Sequence, residues 1–110
     1  MSVEKVKAYL DRFGMGDRLL EFPVSSATVD LAAKALGVET ARIAKSISFH
    51  DEGNGCILIV TAGDEKIDNA KFKSAFGLKA KMLKAAEVEP LTGYRVGGVC
   101  PFGTPPAAKV

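Results

Sequence analysis

Two cysteines and one histidine are the whole thiol and imidazole content of this chain. Cys56 and Cys100 lie far apart and form no Cys-x-x-Cys pair, so neither a disulfide framework nor a zinc site is expected. His50, the one histidine, falls in a turn. A thiol hydrolase built on Cys100 therefore lacks an evident base, and no metal or cofactor is expected. Long apolar runs are missing too. The longest, Cys56 to Val60 with Ala62 after one threonine, is far short of the roughly 20 residues of a spanning helix. The N-terminus mixes charges with its apolar residues and is no secretory signal, so the expected compartment is the cytoplasm. Strong charge is absent as well: a net +2 argues against a duplex-binding protein but permits local basic patches. No repeat, linker or low-complexity stretch interrupts the 110 residues. That length suits one domain, and the 47% hydrophobic and 25% charged content suits an ordinary globular core.

What is present reads as alternating helices and strands. Val3, Val6, Leu10 and Phe13 recur at helical spacing, with Gly14 as a stop. Leu19 to Val24 reads as a short strand with Pro23 near its end. Ser25-Ser26-Ala27-Thr28 supplies hydroxyls to cap a helix through Leu36, closed by Gly37, or to line an anion site at its N-terminus. Ile43 to Phe49 alternates, placing Ile43, Lys45, Ile47 and Phe49 on one face. Lys45 thus falls among apolar residues, where it either snorkels to the rim or serves a site. The Asp-Glu-Gly-Asn-Gly turn and the apolar run Cys56 to Ala62 complete a hairpin, the second strand being expected to be buried on both faces.

Gly63-Asp64 breaks that strand, and Asp68 can cap a helix bearing Phe72, Ala75 and Phe76. Lys66, Lys71 and Lys73 form either a basic rim or a solvated helix face. Lys79 to Leu83 reads as a strand, Ala85 to Leu91 as a short acidic helix, and Ala107 to Val110 as the beginning of another strand. Between them lies Gly93-Tyr-Arg-Val-Gly-Gly-Val-Cys-Pro-Phe-Gly103. Gly97 and Gly98 permit positive φ, and Pro101 keeps Cys100 out of the helical region. Such a loop is either a tight connection or a cradle whose amides face a carboxylate, phosphate or carbonyl.

Taken together, Ser25-Ser26-Ala27-Thr28 leading into Ala32-Ala33, Arg42-Ile43-Ala44-Lys45-Ser46, Gly63-Asp64 with Asp68 and Lys71, and Thr92-Gly93-Tyr94 through Gly97-Gly98 to Pro101-Phe102-Gly103 follow a family order. The chain resembles, over essentially its whole length, the freestanding members of the YbaK or prolyl-tRNA editing domain family. The resemblance implies an α/β fold, a curled, barrel-like mixed sheet with helices packed outside. It implies a single editing domain over residues 1–110 that stops before the family's C-terminal strands and helix. It also implies metal-independent hydrolysis, in trans, of the ester joining a wrong small amino acid to tRNA, with proline tRNA as the expected substrate and prolyl-tRNA synthetase as a candidate partner. On this likeness Lys45 and Gly97 are the catalytic residues. Thr28, Asp68, Tyr94, Gly98 and Pro101 bind substrate, Gly97 and Pro101 marking the ends of a Gly-x-x-x-Pro loop. The alternative function is a non-catalytic module that binds tRNA ends or a synthetase.

Overall fold

The computed structural model describes residues 2–23 and 27–110. The expected hydroxyl cluster therefore loses Ser25 and Ser26, which lie with Val24 outside the described residues. Helix α1 spans Ser2–Asp11, α2 Val29–Leu36, α3 Asn69–Phe76 and α4 Ala85–Thr92. Strands β1 (Ala44–His50), β2 (Cys56–Ala62) and β3 (Ala108–Lys109) form one sheet in the order β1-β2-β3. No helix among the described residues is long and apolar enough to cross a membrane.

The hairpin follows from its turn. Gly53 takes a φ of 78°, which a side chain would resist, and this sets the register from His50↔Cys56 to Ala44↔Ala62. Phe49 and Ile57, with Ile47 and Ile59 beside them, then face α3. Phe49, Ile57 and Phe72 are nearly inaccessible, and the Phe49 and Phe72 rings stand 4.8 Å apart. Each such side chain contributes about 1.5–3 kcal/mol through burial. The opposite face supplies Cys56, which joins Leu83 and Val88 beneath α4. Burial on both faces holds only over Cys56–Leu58, and Val60 is 43% exposed.

Four expectations change. Residues 19–23 form no strand: Leu20 and Phe22 are exposed, and among the described residues no chain pairs with them. Lys79 to Leu83 is reduced to a single antiparallel bridge, Met82 to Phe49, at the outer edge of β1. Helix α1 ends at Asp11, so Phe13 lies past the helix and is largely exposed. The three-stranded sheet is open and does not close into a barrel, because β3 pairs for only two residues and β1's outer edge meets only that bridge.

The loop after α4 is fixed from behind. Gly93 ends the helix in the left-handed region, and Thr92 Oγ1 accepts the Tyr94 amide at 3.1 Å. Tyr94 is buried and donates its hydroxyl to the Phe102 carbonyl. Tyr9 of α1 packs its ring 5.9 Å from Phe102, and Lys5 lies 4.6 Å above the Tyr94 ring. The first helix thus braces the glycine loop.

Candidate active site

Lys45 is the second residue of β1 and pairs with Thr61. Its half-buried side chain runs toward the end of β2, where Nζ donates to the Gly63 carbonyl at 3.2 Å. Among the described residues no carboxylate is within ion-pair distance of it. An ammonium has three donors, so two remain for a ligand. The acceptor depends on residue 63 lacking a side chain. A Cβ there would sit 2.2 Å from the Thr40 carbonyl oxygen, 2.6 Å from Val29 Cγ1 and 3.0 Å from the Ile43 carbonyl oxygen.

Thr28 caps α2, its Oγ1 accepting the Leu31 amide at 3.2 Å. That cap brings Val29 and Ala32 toward β1, and between them opens a cleft of about 240 Å³. Thr28, Val29 and Ala32 form one wall, Ile43 to Ser46 the floor, and Gly97 and Val99 the far side. Gly97 takes a φ of 86°, and a Cβ there would stand 3.7 Å from that of Ala27. A second cleft of about 270 Å³ shares Ser46, Gly97 and Val99 with the first. Its remaining lining is mostly apolar, including Ile47, Leu83, Val88 and Val96. Gly97 therefore stands at the junction of a polar and an apolar compartment.

Lys45, Gly97 and Thr28 come together, and the other expected site residues do not line this cleft. Asp68 caps α3, accepting the Lys71 amide at 3.0 Å. Tyr94 lies behind the loop. Burial first, and the Cys100 side chain second, push its hydroxyl well above the ordinary tyrosine range, so it remains a neutral donor. Gly98 does not share the positive φ of Gly97, and its amide closes a turn on the Arg95 carbonyl at 2.9 Å. Pro101 is half-buried in the bend that follows. Gly63 was legible as a strand breaker and as part of a family motif but not as a point of close packing, since the approach of three distant groups leaves no local pattern.

The thiols are placed unequally. Cys56 is fully buried, its Sγ 3.5 Å from the Leu91 carbonyl oxygen, and burial followed by Asp51 raises its thiol. Cys100 is partly accessible and its Sγ is 4.0 Å from the Phe102 carbonyl oxygen. His50 Nε2 instead lies 3.2 Å from Glu87 Oε1, without the alignment of a hydrogen bond.

Residues 24–110, which hold every part of this cleft, match the family model of the aminoacyl-tRNA editing domain. The chain belongs to that family. It is 50% identical over 103 residues to the uncharacterised protein YwhH of Bacillus subtilis strain 168, covering 94% of this chain and 66% of YwhH. It is 32% identical over 77 residues to EbsC of Enterococcus faecalis strain V583, named as a candidate Cys-tRNA(Pro)/Cys-tRNA(Cys) deacylase, covering 69% of this chain and 47% of EbsC. The chain thus spans about two thirds and half of these two relatives. Among solved structures, a candidate trans-editing enzyme for prolyl-tRNA synthetase superposes with a TM-score of 0.80 at 33% identity, covering 97% of this chain and 69% of that one. Within the family, α1 lies outside the matched segment, although it braces the matched loop.

Proposed function

We propose that the chain is a cytoplasmic aminoacyl-tRNA deacylase acting in trans, removing a mischarged small amino acid from proline tRNA. The observation that carries this is the meeting of Lys45 and Gly97 across one cleft. Water attacks the ester carbonyl carbon, the bond to the terminal ribose oxygen breaks, and that oxygen takes a proton. Free tRNA and free amino acid leave. Lys45, held by the Gly63 carbonyl, contacts the terminal nucleotide's phosphate or sugar and so positions the ester. The amides of residues 97 and 99 border the cleft and make no backbone hydrogen bond among the described residues. On this reading they hold the carbonyl oxygen as charge develops on it. A ribose hydroxyl of the substrate orients the water, so the protein need not supply the base. Tyr94, Gly98 and Pro101 act by shaping the loop, and Thr28 by fixing the wall.

Deacylation of proline tRNA charged with alanine, cysteine or 2-aminobutyrate, beside correctly charged prolyl-tRNA, tests the reading. Turnover of at least one mischarged species, sparing the prolyl ester and unchanged by chelator, is expected. Binding without turnover would leave the non-catalytic module. Loss in chelator restored by a transition metal would overturn the metal-independent mechanism.

The same assay decides the role of Cys100. Cys100→Ser is expected to keep most of the single-turnover rate, because water is the nucleophile and the serine retains a donor near Phe102. Abolished turnover with fold and tRNA binding intact would require a covalent thiol step instead.

A further inference from the structure

Residues 66–84 carry six lysines, Lys66, Lys71, Lys73, Lys79, Lys81 and Lys84, against one acidic residue, Asp68. The segment is therefore +5 in a chain of net +2, and the remaining residues together carry −3. All six lysines are exposed, and among the described residues none is paired with a carboxylate. Elsewhere the surface does pair its charges, as Lys7 and Asp11 do at 2.9 Å along α1.

The fold concentrates this charge beside the cleft. Ala80 packs on the Phe49 cluster, so its neighbours Lys79 and Lys81 turn away from the core. Lys73 and Lys79 border one groove of about 350 Å³ between α3 and this segment. Two backbone bonds, His50 N to Lys81 O at 2.8 Å and Leu83 N to Ser48 O at 3.2 Å, fasten the segment along β1. Met82 and Leu83 then line the compartment that shares Gly97 with the Lys45 cleft. We infer that Lys73, Lys79, Lys81 and Lys84 form a track for the sugar–phosphate backbone of the RNA whose aminoacylated end enters the Lys45 cleft. The identity of that RNA rests on the aminoacyl-tRNA reading. Lysines bind phosphates as point charges and read no bases, so the track supplies affinity and orientation while the cleft selects the ester.

The test is the variant Lys73→Gln/Lys79→Gln/Lys81→Gln/Lys84→Gln, checked for wild-type melting, with Lys79→Gln/Lys81→Gln as a milder second variant. Binding of uncharged proline tRNA is read by fluorescence anisotropy from 50 to 200 mM salt. The log–log salt slope should shrink by about three in the fourfold variant, with affinity at low salt falling at least about tenfold. Deacylation of an aminoacylated 3′-terminal trinucleotide should keep its wild-type rate, while KM for the full-length mischarged tRNA rises at least about tenfold. Unchanged affinity and salt slope would overturn the track, as would equal loss on the short and full-length substrates. If the wild-type protein hydrolyses neither substrate, the deacylase reading fails, and tRNA binding still decides the track.

Discussion

Lys45→Ala is expected to yield a folded protein that deacylates about tenfold to a thousandfold more slowly, equivalent to roughly 1.4–4 kcal/mol of transition-state stabilisation. The stability side of this expectation follows from the surroundings of Nζ. Among the described residues its one partner is the Gly63 carbonyl at 3.2 Å, and the side chain is half-buried. Losing that hydrogen bond costs on the order of 1 kcal/mol, and releasing a partly desolvated ammonium offsets much of it. Melting temperature should therefore move little. The kinetic side depends on what the ammonium touches. Losing a contact made equally in ground and transition states raises KM alone, whereas losing one that positions the ester lowers kcat. A wild-type rate in correctly folded Lys45→Ala protein would remove Lys45 from the mechanism.

The second large effect is expected from a residue with no side chain. Gly63→Ala places a methyl group 2.2 Å from the Thr40 carbonyl oxygen and 2.6 Å from Val29 Cγ1, and only one of these belongs to a side chain. The backbone must move, at a cost of about 2–3 kcal/mol, or roughly 8–20 °C in melting temperature. The same shift carries the Gly63 carbonyl away from Lys45, so activity should also fall at temperatures where the variant remains folded. Asp64→Ala, at an exposed neighbour, serves as the control and should melt within about 0.5 kcal/mol of wild type. Thermal melting of the two variants side by side decides the matter: a Gly63→Ala protein as stable as Asp64→Ala would refute the close approach.

The hairpin was legible because its signals are local. A glycine-rich turn lies between two runs of alternating or continuous apolar residues, and one register satisfies both. Lys45 was legible for the same reason, since strand alternation is a property of neighbours. The segment Leu19 to Val24 shows the limit. Its composition permits a strand, but a strand exists only where a partner offers hydrogen bonds, and residues 19–23 find none among the described residues. Lys79 to Leu83 finds a partner for one bridge only. In the site, glycine permits positive φ at 97 and 98 alike, yet the Arg95 turn engages Gly98, and only Gly97 of the two takes it. Asp68 and Tyr94 show how one residue type serves two roles. Capping and burial account for both in this fold, and sequence order cannot separate those roles from pocket lining.

The parallel pairing of β3 with β2 also has a kinetic side. Hairpin strands β1 and β2 are joined by a five-residue turn and can zip together locally. Cys56 and Ile57 meet Ala108 and Lys109 only after a loop of about half the chain has closed, and the Asp51–Lys109 ion pair at 3.2 Å forms with it. During synthesis the inner edge of β2 therefore emerges long before the residues that cover it. The antiparallel hairpin and α3 can assemble early around Phe49, Ile57 and Phe72, whereas the edge beside Cys56 stays open until Ala108 and Lys109 arrive.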